Sequence, residues 1–467
     1  MNTTLGVIFG NRDFFPDHLV SEARKDILAL FKEMNIDGVM LEEQATKLGS
    51  VETYAHAKAC ADLFKANREH IVGILVVLPN FGDEKGVADT IKLSGLNVPI
   101  LVQAYPDDLD AFNVERRRDA FCGKVSVCNN LRQYGYDFTL TSLHTSKPLS
   151  DSFKKDLAKF ISVCHVVKGL RTARLGAIGA RPGAFNTVRY SEKILQATGI
   201  TVTTVDLSEI LGNSNRLSDD ALHVKAKLDE IHAYAKHDTV PSPAILRMAK
   251  LGVVISDWMQ ANDIQATALQ CWTSLQKNYG INACTLMSMM SNQLMPSACE
   301  TDITGVVSMY ALQLASDSPG ALVDWNNNYA DDPDRCVLFH CGNWAKSFIP
   351  DIEIKTAPIL GTTLGEENTY GAMAGRAVAG PMTYARVSTD DVNGIIRAYT
   401  GQGELTNDPL DTFGHRAVVH TPGLQKLLAY LCKSGFEHHV AMTMGSVSDA
   451  LDEAFTTYMG WENYRHS

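Results

Sequence analysis

Six side chains in the second half of the sequence have the chemistry to hold a metal ion. They are Glu300 and Asp302 in ACETD, Asp324 in ALVDWNNN, His340 in CVLFHCGNW, and the neighbours His438 and His439 in GFEHHVAM. Two carboxylates plus two imidazoles suit a divalent ion of borderline hardness, with positions left open for substrate oxygens. Asp324 and His340 each end an apolar run, which is how a strand aims a polar group into the crevice at its carboxyl end. Adjacent histidines on a strand point to opposite faces, so one of His438 and His439 is expected to join such a site. Each residue also has an ordinary structural use. Glu300 suits the positive end of the helix that follows, Asp324 suits a turn before Asn326, Asn327 and Asn328, and His340 suits a hydrogen-bonded core position.

The elements that must position these groups follow from hydrophobic periodicity. The first 165 or so residues alternate continuous apolar runs (LGVIFG, VGILVVLPNFGDE, VPILVQAYP) with stretches of helical period such as HLVSEARKDILALFKEM. Runs of Ile, Leu and Val without alternation read as parallel strands covered on both faces by helices. A second α/β segment begins near ARLGAIGARPGAF, passes through VTTVDL, and becomes largely helical from Pro243 to Asn292. Beyond residue 350 the texture is short, β-rich and glycine-punctuated, as an antiparallel barrel or sandwich requires. The expected fold is therefore α/β: two doubly wound Rossmann-like domains, over residues 1–168 and 169–350, the second carrying the metal ligands. A β-barrel-like C-terminal domain with closing helices is expected over 351–467.

Composition removes several functions. Lys and Arg total 42 against 53 Asp and Glu, a net charge of −11, which disfavours phosphate backbones and anionic lipid surfaces. No apolar run approaches the roughly 18 residues of a membrane helix, and the N-terminal stretch lacks the basic start and long apolar middle of a secretory signal. A cytoplasmic location is expected. The ten cysteines contain no CxxC pair, so free thiols are expected rather than a zinc finger. The Met-rich LMSMMSNQLM reads as packing. Gly176, Gly179 and Gly183 do not form GxGxxG, and no GxSxG elbow is present, which leaves nicotinamide or serine-hydrolase chemistry little support.

Taken in order, the run CETDITGVVSMYALQLAS, then ALVDWNNN, LFHCGNW, GQGEL, DTFG and EHHVA resembles the L-fucose/L-arabinose isomerase superfamily, nearest its fucose-isomerase-like members. The resemblance implies an aldose–ketose isomerase that interconverts an open-chain aldose and its 2-ketose through a cis-enediolate stabilised by Mn²⁺ or another divalent ion. Metal-ligand roles then fall on Glu300, Asp324, His340 and His439, separated by 24, 16 and 99 residues. Glu300 and Asp324 are also the expected catalytic base and acid, each with one oxygen for the metal and one for the proton. The resemblance further implies a homo-oligomer, a hexamer or trimer with sites near subunit interfaces, in which Arg12 reaches a neighbour's site.

Trp325, Asn326, Trp344 and His438 complete the expected substrate contacts, the tryptophans by offering apolar faces to sugar C–H groups. A modified hexose such as a 6-sulfo sugar (sulfoquinovose) would need a basic subsite, for which Arg12, Lys124, Arg181, Lys346, Arg386 and Arg416 are the candidates. A non-catalytic sugar-binding protein on the same scaffold is the competing reading, and retention of the acid–acid–histidine set argues against it.

Overall fold

The apolar runs of the N-terminal segment become a parallel sheet. In the computed structural model, which describes residues 3–467, its strands are β1 (Thr4–Phe9), β2 (Asp37–Val39), β3 (Ile71–Leu78), β4 (Ile100–Ala104) and β5 (Thr139–Leu140). They lie in the order β2-β1-β3-β4-β5, all parallel, with helices as the crossovers. All eight residues of β3 are buried, which is why its sequence IVGILVVL shows no alternation. This sheet and its helices form the first of two units, Met1–Lys168 with Thr457–Met459.

The second unit, Gly169–Thr456 with Gly460–Ser467, contains two sheets. One is parallel and four-stranded, β7-β6-β8-β9, built from β6 (Arg174–Ile178), β7 (Thr201–Val205), β8 (Ala266–Leu269) and β9 (Ser297–Ala298). The other has nine strands. These are β10 (Ala321–Tyr329), β11 (Asp332–His340), β12 (Glu353–Lys355), β13 (Ala372–Arg376), β14 (Gly380–Asp390), β15 (Ile395–Thr406), β16 (His415–His420), β17 (His439–Met444) and β18 (Glu462–Arg465). Their order is β12-β13-β16-β11-β10-β17-β14-β15-β18, and β15 also pairs with β16. The chain is thus α/β with two parallel sheets and one large mixed sheet. The last is not purely antiparallel, because β13–β16 and β15–β18 are parallel ladders. It also starts at Ala321, so the strands bearing Asp324 and His340 belong to it.

Asp324 lies within β10 rather than at its end. Polar residues continue the strand beyond it because Asn326–Asn328 face outward, and Asp324 pairs with Phe339 on one side and His439 on the other. His340, by contrast, is the last residue of β11. Two of the site's donors therefore sit on adjacent strands in direct register.

The helix Ile303–Ser316 is apolar nearly all round and buried along most of its length, as a helix inside a core must be. It packs on β14 and β17. Its N-cap is Asp302, whose Oδ1 accepts the Gly305 N–H at 2.8 Å. Arg386 of β14 fixes the same carboxylate bidentately, Nη1 to Oδ2 at 2.6 Å and Nη2 to Oδ1 at 3.0 Å, and its Nε reaches Glu437 Oε2 at 3.2 Å. Arg386 and Asp302 are both completely buried. Burial opposes ionisation of Asp302, but the adjacent guanidinium and His439 outweigh it and hold the carboxyl well below the usual range. Among the described residues no helix is long and apolar enough to cross a membrane.

Two stability measurements test this arrangement. Arg386→Met leaves Asp302 and Glu437 as unpaired buried charges and should cost about 3–5 kcal/mol in chemical denaturation; a variant within 1 kcal/mol (~) of the parent would contradict the reading. The second concerns His415, buried beside His340 in the β11–β16 ladder, whose Nδ1 accepts the Trp344 N–H at 3.1 Å. Burial pushes its imidazole down to about 3. The unfolded chain takes up this proton near pH 6.5 and the folded chain does not, so stability should fall as pH drops from about 6.5 towards 3, by up to ~1.4 kcal/mol per unit. His415→Gln keeps an acceptor for Trp344 and should flatten that slope; parallel stability–pH curves for the two proteins would refute it.

Candidate active site

Glu300 sits in the short connection between β9 and the helix Ile303–Ser316. Both Glu300 and Thr301 adopt left-handed backbone conformations (φ 54° and 56°), sparsely populated for residues with side chains. The turn is held by Thr301 N–H on Leu269 O and Asp302 N–H on Cys299 O. It presents the buried Glu300 side chain in a fixed direction. Trp272 Nε1 donates to Oε1 at 2.8 Å, and the Cys271 thiol approaches the same oxygen at 3.5 Å. Oε2 is buried with no hydrogen-bond partner. It faces His340 Nε2 at 3.7 Å and His439 Nε2 at 3.5 Å. Burial works against the charge on Glu300, but the two imidazoles prevail and its carboxyl lies below the ordinary value.

Asp324 closes the group from the other side. Its Oδ1 is likewise buried without a hydrogen bond, 3.5 Å from His439 Nε2 and 3.7 Å from His438 Nε2. His439 Nε2 thus stands between two orphaned carboxylate oxygens. Its other nitrogen, Nδ1, contacts Asp302 Oδ2 at 2.9 Å. With Nδ1 donating to that carboxylate, Nε2 keeps its lone pair, which is the arrangement a metal-binding imidazole needs. The donor atoms form two groups, each within 4.8 Å, Glu300–His340–His439 and Asp324–His438–His439, which share His439. A buried carboxylate oxygen left without a hydrogen bond beside an imidazole lone pair is costly, and a divalent cation relieves that cost. The donors fit such an ion.

His340 is oriented differently. Its Nδ1 accepts the Cys341 backbone N–H at 3.0 Å, so the neutral ring carries its hydrogen on Nε2, towards Glu300. In that tautomer the ring donates to the carboxylate, and a ring nitrogen of His340 lies within 4.8 Å of donor atoms of Glu300 and His439, which keeps it among the candidate ligands. His438 immediately precedes β17, free of the strand's alternation, and its ring lies 4.5 Å from that of His439. Both histidines therefore line the pocket instead of pointing to opposite faces. Burial, helped by His439, lowers the His438 imidazole below its ordinary value.

The remaining predicted contacts are placed elsewhere. Trp344 is fully buried and donates to Leu322 O at 2.9 Å, making it a core residue. Trp325 turns away from Asp324, donating to the Tyr399 hydroxyl at 3.0 Å and packing edge-on against Tyr384. Asn326 is exposed and folds back on the Asn327 N–H. Arg12, in the first unit, bonds Gly82 O at 2.9 Å, pairs with Glu84 and covers the Phe81 ring. Of the candidate anion-binding cations, Arg386 is consumed by Asp302 and Glu437, and Lys124 is buried on Thr141 Oγ1 and His144 O. Asp302 supports His439 and caps a helix, which removes it from the set of direct ligands.

The pocket in front of Glu300 and Asp324 is walled by residues that sequence reasoning did not select: Phe185, Trp272, Phe339, Ile359, Met373 and Phe413 among them. Phe339 and Phe413 lie in the LFHCGNW and DTFG segments but were not themselves selected, and the residues lining this pocket include no Lys or Arg. Only the segment Thr356–Leu360, with Pro358 opening a short helix, gives a local signal that a wall might form there.

Comparison with known proteins accords with this geometry. Residues 6–171 match the profile of the fucose/sulfoquinovose isomerase N-terminal domain, and residues 338–466 that of the L-fucose isomerase C-terminal domain. The second segment contains His340, His438 and His439; Glu300 and Asp324 fall between the two. Sulfoquinovose isomerases of Priestia aryabhattai and Priestia megaterium are each 24% identical over 344 residues, 72% of this chain and 74% of theirs. That of a Clostridium species is 22% identical over 339 residues, with the same coverage. Likeness to solved structures is remote, the response regulator/GGDEF protein at 10% identity and TM-score 0.23 covering 64% of this chain and 82% of that one, and it carries no weight. With both domain profiles matched in order around a convergent acid–acid–histidine group, the chain belongs to the fucose isomerase family and is an aldose–ketose isomerase.

Proposed function

We propose that the chain isomerises an open-chain aldose at a divalent-cation site made by Glu300 Oε2, Asp324 Oδ1 and His439 Nε2, with Mn²⁺ as the working ion. The observation that carries this reading is the pair of buried, partnerless carboxylate oxygens on either side of one imidazole. When bound, the cation supplies polarisation of the carbonyl and a common anchor for the two neighbouring sugar oxygens.

The protein's own groups do the rest. A carboxylate must take a proton from one of C1 and C2 and return it to the other. Glu300 has a single uncommitted oxygen, because Oε1 is held by Trp272 and Cys271. Asp324 has no hydrogen bond on Oδ1 and is partly exposed to the pocket, so its second oxygen is free for the proton. Asp324 is therefore the proton carrier and Glu300 the fixed anion, with His340 Nε2–H holding Glu300 in its charged form. His438, exposed at the rim, is placed to meet a sugar hydroxyl. Phe185, in edge contact with Trp272 and His438, excludes water from one side.

Two substrates are singled out by different observations. The names of the relatives favour sulfoquinovose, whose sulfonate would need a cation that this pocket lacks within one chain. A neighbouring subunit of a homo-oligomer, contributing Arg12, would supply it. The apolar wall of Phe339, Ile359 and Phe413 instead favours a 6-deoxy aldose. Cytoplasmic location is part of the same reading.

An aldose panel including 6-sulfo and 6-deoxy hexoses, assayed with Mn²⁺ and with chelator, tests the function. At least one should be converted to its 2-ketose, activity should vanish with chelator and return with Mn²⁺, and Asp324→Asn should lower kcat by about 10²–10⁴-fold. Full turnover in the chelated enzyme or in the Asp324→Asn variant would overturn the assignment.

A further inference from the structure

Behind the carboxylate pocket lies a group of sulfurs that the isomerisation does not use. Cys271, Cys284 and Cys299 are buried, and Cys341 follows His340 at the pocket wall. Cys271 Sγ lies 3.5 Å from Glu300 Oε1, and Cys299 Sγ lies 4.0 Å from the Met287 sulfur. The residues come from four separate stretches, so the fold, not local sequence, assembles them. Cys299 Sγ, Cys341 Sγ and a ring nitrogen of His340 all lie within 4.8 Å of one another. The nearer nitrogen, Nδ1, is 3.5 Å from Cys341 Sγ.

We propose that Cys299, Cys341 and His340 Nδ1 form a second metal site, selective for a thiophilic ion such as Zn²⁺ and distinct from the carboxylate site. Ligand type separates the two: thiolates with one imidazole prefer zinc, whereas carboxylates with one imidazole suit manganese. Tetrahedral zinc holds its thiolate sulfurs about 3.8 Å apart when each bond is about 2.3 Å, inside the 4.8 Å that bounds the three donor atoms here. The outer contacts are right as well. An imidazole that gives one nitrogen to zinc usually donates from the other to a carboxylate, and His340 Nε2 already faces Glu300 Oε2 at 3.7 Å. Binding releases the two thiol protons and replaces the Cys341 N–H as partner of the Nδ1 lone pair. Cys341 opens on the pocket, which gives the ion its way in and leaves the fourth position to water. The site couples to the isomerase reaction through the His340–Glu300 contact, so zinc would tune Glu300 without displacing the working ion.

The test uses the full-length chain with the exposed Cys122 and Cys432 changed to Ser, excess Mn²⁺ to fill the carboxylate site, and one equivalent of Zn²⁺. X-ray absorption at the zinc edge should show two sulfur neighbours at about 2.3 Å, and Cys341→Ser should remove at least one of them. Should that variant fail to fold, Cd²⁺ added to the parent protein gives a second reading, a thiolate-to-metal ultraviolet band saturating at one equivalent. A zinc shell of oxygen and nitrogen alone, absence of the cadmium band, or a sulfur shell unchanged in Cys341→Ser would overturn the proposal. None of these readings depends on the sugar, or on whether the isomerase assignment holds.

Discussion

The candidate active site depends on one buried chain of charge: Arg386 to Asp302 to His439. The guanidinium is completely buried, an expensive place for a cation, and it is tolerated because Asp302 and Glu437 meet it at 2.6–3.2 Å. Held this way, Asp302 remains an anion and accepts from His439 Nδ1. That contact fixes the tautomer, and the tautomer points a lone pair between Glu300 and Asp324. A helix N-cap, a core strand and a strand start are joined by the same carboxylate. Moving any one of the three moves the lone pair.

The two candidate carboxylates are placed by quite different means. Glu300 depends on backbone strain, two consecutive left-handed residues pinned by Leu269 O and Cys299 O. Asp324 depends on sheet register, which sets it opposite His439 and Phe339. A turn that is costly in isolation thus meets a ladder that is favourable in itself. The result is one fixed anion and one freer anion facing the same imidazole, an asymmetry suited to a reaction in which a proton leaves one carbon and returns to the next.

How much of this was legible in the sequence differs from residue to residue. The parallel strands stood out because IVGILVVL and ILVQA are buried on both faces and need no alternation. The acids and histidines could be picked out as candidates because carboxylates and imidazoles at the margins of apolar runs are costly, while their grouping as one ligand set came from the family resemblance. Direction was not legible. Trp325 follows Asp324 by one position, and strand alternation sends it to the opposite face, into Tyr384 and Tyr399. Trp344 is apolar enough to be either wall or core, and long-range packing made it core. Arg386 in TYARVS reads as a candidate cation for an anionic sugar, since the sequence around it gives no hint of two buried carboxylates from residues 302 and 437. The nine-stranded sheet mixes parallel and antiparallel ladders, a property of pairing between distant segments that composition does not encode.

The central claim is that one cation meets the His439 nitrogen that Asp302 leaves free. Pulsed electron paramagnetic resonance of the protein carrying a single equivalent of Mn²⁺ tests it directly. The account predicts coupling to one imidazole nitrogen, lost in His439→Gln and retained in His340→Gln. Manganese without nitrogen coupling, or coupling that survives His439→Gln, would contradict it.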